Sequence, residues 1–275
     1  MTALQTLEHV PLFPEVFRMP GVIERPRAPS AHRASRLTPK TAADHFRTPP
    51  WATRALCEIL RQLLRHDLAD LTVEERACGR GDMARVLEEY FGAVLASDIE
   101  AYGYGDVADY LTTALPLVDL SITNPPFHSA IAFVRKALAN ARMGVAMFLP
   151  TRWQEGIGRY QTLFAETPPT LVAQFSERVP LHKDTLLRRN TTQTAYSWFI
   201  WLKSVPSTSG ARLVWIPPCR VWLERWGDYD DDVGPEAIAL PARRPAKPDF
   251  AALATPLLSS RRTPPVRLAK AGGSR

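Results

Sequence analysis

Two hydrophobic periods alternate along this chain. Ala55, Leu56, Ile59, Leu60, Leu63 and Leu64 recur at helical spacing, so Trp51 to Arg65 reads as an amphipathic helix started by Pro49-Pro50. Short apolar runs follow. Leu71 to Glu74, Val94 to Ala96, Leu117 to Ile122, Gly144 to Leu149, Leu171 to Phe175 and Ala195 to Leu202 each read as a strand, with a further one over Arg212 to Ile216. A helix beginning near Asp82 and another over Ala130 to Ala139 separate the earlier strands. This alternation predicts an α/β fold, a mainly parallel sheet with helices on both faces. The closing strands stand close together with no helix between them, so an antiparallel strand is expected near one edge. Trp198, Phe199 and Trp201 alternate with apolar neighbours along the sixth strand and read as core packing.

At 275 residues and 45% hydrophobic content, the chain is long enough to bury one full α/β core with appendages. Cys57, Cys78 and Cys219 form no C-x-x-C pair, so neither a disulfide framework nor a zinc site is indicated, and the expectation is no metal. Met1 to Pro14 lacks the pattern of a secretion signal, and no apolar run approaches the roughly 20 residues that span a bilayer. A soluble, cytoplasmic protein without membrane contact is expected.

Charge divides the chain further. The net +6 is carried by the ends: residues 1–40 hold six basic residues against three acids, and residues 241–275 hold eight against Asp249 alone. The segment between them is therefore net acidic. Each end also has six prolines and little apolar periodicity. The organisation read from this is an irregular extension over 1–40, a folded catalytic domain over 41–225 and a basic, Pro-rich, disordered tail over 226–275. The acidic run Asp228, Asp230, Asp231, Asp232 reads as a solvated turn leading into that tail, which is either a phosphate-binding arm or a solubilising extension.

Candidate chemistry lies between the strands. Asn124-Pro125-Pro126-Phe127 follows the third strand, where an asparagine oxygen and the next carbonyl can accept both hydrogens of a planar amine, the prolines lock the turn, and Phe127 offers a ring face for stacking. Alternatively the tetrapeptide is a rigid turn closed by a core phenylalanine. Glu75-Arg76-Ala77-Cys78-Gly79-Arg80-Gly81 stands where the first strand meets its helix, the usual crevice of an open parallel sheet. It lacks both the third glycine of a dinucleotide fingerprint and the Gly-Lys-Ser/Thr of a phosphate loop. Asp98 closes the next strand, placed to accept from two ribose hydroxyls, or is a surface aspartate that ends a strand.

Taken together, the glycine-containing loop, the acid after the second strand, the pair Asp109-Tyr110 and Asn124-Pro125-Pro126-Phe127 resemble the S-adenosylmethionine-dependent DNA adenine-N6 methyltransferases of the small phage and prophage type. The resemblance runs from about Phe46 to Leu202. Phe46-Arg47-Thr48-Pro49-Pro50 resembles the family's segment that binds the methionine part of the cofactor, and Arg178-Val179-Pro180-Leu181-His182-Lys183 and Tyr196-Ser197-Trp198-Phe199-Ile200-Trp201 resemble its late motifs. The resemblance implies a Rossmann-like methyltransferase fold and cofactor contacts from Thr48, Pro49, Glu75, Ala77, Cys78, Gly79, Gly81, Asp98, Ile99, Asp109 and Tyr110. It implies that Asp98 holds the ribose, that Asp109 and Ile99 meet the cofactor's adenine, that Asn124 and the Pro125 carbonyl hold the target amine, and that Phe127 stacks on a flipped base. Two departures stand out: Arg76 replaces a usual proline, expected to relax the loop, and nothing after Leu202 is long enough for a full target-recognition domain.

Arg178, Lys183, Arg188 and Arg189 against Glu177 and Asp184 make 176–190 a net-positive segment. It is read as a loop that grips the phosphates of DNA, most simply duplex DNA, or as an ordinary solvated loop. Alternative acceptors are an RNA base or a protein glutamine, the latter disfavoured by Phe127 where glutamine enzymes carry tyrosine. A catalytically silent nucleic-acid-binding module is the alternative from another class.

Overall fold

The structure, a computed structural model, describes residues 45–189, 191–206, 210–232 and 246–254. Its strands are β1 (Thr72–Glu75), β2 (Ala93–Asp98), β3 (Asp106–Val107), β4 (Val118–Thr123), β5 (Ala141–Pro150), β6 (Leu171–Phe175), β7 (Tyr196–Leu202) and β8 (Arg212–Ile216). Among the described residues these eight form one sheet in the order β3-β2-β1-β4-β5-β7-β6-β8. Pairing is parallel from β3 across to β5, antiparallel where β7 joins β5 and β6, and parallel again between β6 and β8. The mainly parallel sheet with an inserted antiparallel strand is therefore as the hydrophobic pattern predicts. That strand stands third from the β8 edge.

Each strand of the sheet's centre is buried on both faces. In β5, Ala146 and Phe148 join one hydrophobic cluster while Val145, Met147 and Leu149 join another; in β7, Trp198 and Ile200 join the first, Phe199 and Trp201 the second. The period-2 alternation of strand side chains sends neighbours to opposite faces, which is why these strands read as continuous apolar runs. Helix α1 (Pro50–Leu63) and helix α2 (Asp82–Glu88) cover the first face. Helix α3 (Ala130–Asn140) covers the second through Ala130, Phe133, Val134 and Ala137, beside Trp153 and Leu163. Trp198 shows how tightly α1 seats: its indole N–H donates to the Ala52 carbonyl at 3.0 Å with the ring fully buried.

Four parallel strands, β3, β2, β1 and β4, set the site. The chain leaves β1 for β2 and β3 on one side, then returns past β1 to enter β4 on the other. That reversal opens a crevice at the carboxyl ends of β1 and β4, where ligands of such sheets are held. Glu75, Asp98 and Thr123 are the last residues of β1, β2 and β4, so the crevice-lining segments predicted from sequence all emerge at this edge.

The acidic run is not a solvated turn. Arg54 of α1 is almost fully buried and takes Glu89 and Asp228, each at two hydrogen bonds of 2.8–3.0 Å. Asp230 pairs with Arg47 and Asp232 with Arg188. The run supplies one carboxylate to each of three arginines, adding to Glu89 on Arg54, Asp82 on Arg47 and Glu224 on Arg188 in offsetting their desolvation. Tyr229, Phe250 and Ala254 are buried in the first cluster as well, so 226–232 and 246–254, read from sequence as disordered tail, are packed where described. The expected N-terminal extension and residues 233–245 and 255–275 lie outside the described residues.

Candidate active site

Asn124 follows β4 directly, and its amide is oriented by two bonds. Nδ2 donates to the Phe46 carbonyl at 2.9 Å and to Thr48 Oγ1 at 3.0 Å. With both hydrogens used, the side chain presents Oδ1 as an acceptor. Next along the turn, the Pro126 carbonyl accepts from the amide and hydroxyl of Ser129. This closes the turn into α3 while leaving the Pro125 carbonyl outside that hydrogen-bond set. Two acceptors on adjacent residues, one held by Thr48 and the other by proline geometry, can take two hydrogens of one planar amine.

Phe127 is half-buried. Its ring lies 5.9 Å from that of Phe46, nearly parallel at 16°, and 6.4 Å from that of Tyr196, which in turn stacks on Phe148 at 5.3 Å. The stacking residue expected from sequence is thus also a link in an aromatic row that runs into the core.

Across the crevice, Glu75 is buried and its Oε2 has no hydrogen-bond partner. Burial, and then the nearby Asp82 and Asp98 carboxylates, push its carboxyl well above the ordinary carboxylate range. Asp98 receives the Gly79 amide on Oδ2 at 2.8 Å and the Glu100 amide on Oδ1 at 3.1 Å. Each of its oxygens keeps a further lone pair. A buried acid with an open oxygen beside two more carboxylates favours a ligand that brings donors and positive charge.

The glycine loop behaves differently from expectation. Gly79 is left-handed at φ +52°, and a Cβ there would fall 2.1 Å from His45 Nε2. The close approach that glycine permits is taken by the His45 ring, which stacks on Tyr102 with centroids 4.4 Å apart and sets Nδ1 3.5 Å from Asp184 Oδ1. Gly81, at φ +83°, caps α2. Cys78 is buried against the Tyr104 carbonyl, and burial first, then Glu75, pushes its thiol up to about 12. Neither His45 nor Tyr102 was expected from sequence; no spacing rule links a residue before β1 to one after β2.

Other expected cofactor residues divide. Thr48, Pro49 and half-buried Ala77 stand in the segments just described, and Ile99 is exposed beside Asp98. Asp109 uses both oxygens within its own turn, accepting from the Leu111 amide and the Thr112 hydroxyl. Tyr110 is a core residue and not a crevice residue: its ring packs on Phe133 and its hydroxyl donates to Glu74. Arg76 is a second correction. It does not relax the loop, because it is buried with Nε 3.1 Å from Glu74 Oε2, in a network that includes Asn140.

The segment 178–189 is tied to this site. Phe46 and Lys183 form an antiparallel bridge, Asp184 N donates to the His45 carbonyl at 2.9 Å, and Arg47 N donates to the His182 carbonyl. Arg178, Lys183 and Arg189 are exposed. Arg188 is not: it pairs with Asp232 and Glu224 and lies over the Tyr229 ring, so its charge serves the fold.

A comparison with protein-family models finds no match, and a search of curated proteins finds none. Among solved structures, the chain is similar to the methyltransferase subunit of a type I restriction-modification system from Streptococcus thermophilus, at 13% identity over 64% of this chain and 48% of that one, with a TM-score of 0.48. It is also similar to a dimethyladenosine transferase from Plasmodium falciparum, at 14% identity over 58% and 64% with a TM-score of 0.40. A third is magnesium protoporphyrin IX methyltransferase from Synechocystis with bound SAM, at 13% identity over 55% and 80% with a TM-score of 0.36. The chain thus spans about half the length of the restriction-system subunit.

Proposed function

We propose that this protein transfers a methyl group from S-adenosylmethionine to the N6 amine of adenine in DNA. The observation that carries the reading is the orientation of Asn124, whose Nδ2 is held by Phe46 and Thr48 so that Oδ1 acts as an acceptor beside the Pro125 carbonyl. The residues across the crevice fit the cofactor: the open Oε2 of Glu75 suits its ammonium, and the remaining lone pairs of Asp98 suit ribose hydroxyls. The net positive charge of the cofactor matches a crevice of carboxylates.

When bound, the cofactor would supply an electrophilic methyl group on sulfonium, with Asn124 and the Pro125 carbonyl holding the acceptor amine toward it and the amine's surplus proton passing to solvent. What remains for the chain is positioning. An aromatic amine has its lone pair delocalised into the ring; acceptors at Asn124 and Pro125 favour its pyramidal, nucleophilic form. Orientation of this kind can contribute on the order of 7–11 kcal/mol. A base must leave its stack to reach such a turn, and Phe127 offers it an apolar face. Exposed Arg178, Lys183 and Arg189, on the segment bridged to Phe46, suit the phosphates on either side.

The test is incubation with methyl-labelled S-adenosylmethionine and, in parallel, duplex DNA, single-stranded DNA, total RNA and a glutamine-containing peptide. Label in N6-methyladenine of DNA is the expected outcome. Label confined to RNA or peptide would move the acceptor, and cofactor binding with no transfer would leave a silent binding module.

A further inference from the structure

Arg47 stands at a junction that the amine-holding turn does not itself contain. Its guanidinium binds Asp82 at two points, Nε to Oδ2 and Nη2 to Oδ1, both 2.7 Å. Its third nitrogen, Nη1, reaches Asp230 Oδ2, and the same Asp230 oxygen accepts the Leu186 amide at 3.0 Å. Asp82 is the first residue of α2, directly after the glycine loop, whereas Leu186 belongs to the 178–189 segment, the late loop. One side chain therefore joins the cofactor loop, the late loop and the acidic run. The backbone of Arg47 matters equally. The carbonyl that receives Asn124 Nδ2 belongs to Phe46, so it is part of the peptide bond that Arg47 completes, and Thr48, the other acceptor, follows immediately.

We propose that Arg47, locked between Asp82 and Asp230, is the positioning residue that sets the Asn124 acceptor. This inference rests on the methyl-transfer reading for its consequence in catalysis, though not for its geometry. Holding the guanidinium at both ends fixes the Phe46–Thr48 backbone. That backbone fixes the Asn124 amide plane. Releasing either end lets the plane swing, and misplacement on the order of 1 Å at a reacting centre costs up to about a hundredfold in rate.

Two acid-to-amide changes in the same short run separate positioning from simple stabilisation. Asp230→Asn weakens the Arg47 lock, and Asp228→Asn weakens the Arg54 pair, which touches no site residue. For each, kcat and KM are measured with the full chain, together with hydrogen exchange of the Asn124 side-chain amide by nitrogen-15 NMR. Asp230→Asn is expected to lower kcat by about tenfold or more while cofactor KM moves less than about threefold, and to speed Asn124 amide exchange. Arg47→Lys, which keeps charge but loses the two-point hold, should behave alike. Asp228→Asn is expected to lower the melting temperature with kcat near that of the unaltered protein. Equal losses of kcat in Asp230→Asn and Asp228→Asn, or Asn124 exchange unchanged in Asp230→Asn, would overturn the proposal. The exchange measurement needs no methyl acceptor, so if the unaltered protein methylates nothing, the functional reading falls while the exchange contrast still decides the Arg47 lock.

Discussion

Glu74 and Arg76 are ion-paired across one residue of the same strand end, Nε to Oε2 at 3.1 Å, with both side chains buried. The alternation of β1 carries on into the residue just past its end, so the arginine that replaces the resembled family's proline is the counter-ion of the glutamate two positions before it. Asn140 and Tyr110 donate to the same carboxylate, giving Glu74 three partners from separate parts of the chain.

Breaking that pair from one side should be costly. Arg76→Ala leaves a buried carboxylate short of its cation and should lower stability by about 3–5 kcal/mol, read from urea denaturation. The double change Glu74→Gln with Arg76→Met should recover most of the loss. If Arg76→Ala is silent, the pair contributes nothing and the network is held by Asn140 and Tyr110 alone.

Asn124→Ala should lower methyl transfer by about a hundredfold or more with cofactor affinity nearly unchanged, since it removes an acceptor used at the transition state. Thr48→Val makes a finer test, because it deletes one of the two acceptors that orient the amide while leaving Asn124 in place. A single hydrogen bond of about 0.5–1.5 kcal/mol predicts a fall in kcat of up to about tenfold, with Thr48→Ser restoring it. Steady-state kinetics on the three variants distinguishes the effects.

Cofactor binding should take up or release protons through Glu75. Its carboxyl is raised by burial, and by Asp82 and Asp98, so the free protein favours the neutral acid, and a bound ammonium would favour the carboxylate. Affinity should therefore rise with pH until Glu75 is ionised, with a proton released on binding below that point. Calorimetry in two buffers of different ionisation enthalpy measures the release. The stability of the free protein runs the other way: the Glu75 contribution is fully present below the ordinary glutamate pKa and is lost as pH rises through its raised value. Glu75→Gln should abolish both dependences.

Asp230 and Asp232 titrate in the opposite sense. Burial pushes both carboxyls up, but the hydrogen bonds and charges of Arg47 and Arg188, with nearby backbone amides, outweigh it and hold them below the ordinary 3.8. Their contribution to stability is present above that value and is lost as pH falls through the lowered ones. Acid unfolding followed by circular dichroism should begin at higher pH once Asp232→Asn removes the Arg188 partner.

Salt dependence tests the basic C-terminal stretch. Phe250 and Ala254 belong to the core, so an informative truncation starts after residue 254 and removes Arg261, Arg262, Arg267, Lys270 and Arg275. If these bind phosphate, DNA affinity should fall with salt at a slope of about −0.9 per contact, and the truncation should flatten that slope on all sequences without changing which adenines are methylated. An unchanged slope would make the stretch a solubilising extension.

The sequence by itself determined the main helices, the longer strands and their order along the chain. Helical spacing marked α1, unbroken apolar runs marked the central strands, and Asn124-Pro125-Pro126-Phe127 after one of them marked the turn that deserved chemical scrutiny. These signals are legible because they depend on neighbours within a few residues. Two-residue β3 carries too little pattern to be read. Only the tertiary structure decided which charges pair within the fold. Asp230 lies 183 positions from Arg47, and Asn124 lies 78 from Phe46, so no local period reports either pairing. Arg188 and the acidic run read from sequence as solvated or phosphate-binding because charged residues are usually exposed. Folding brought them together as partners, because buried arginines on and before α1 require carboxylates wherever the chain can supply them.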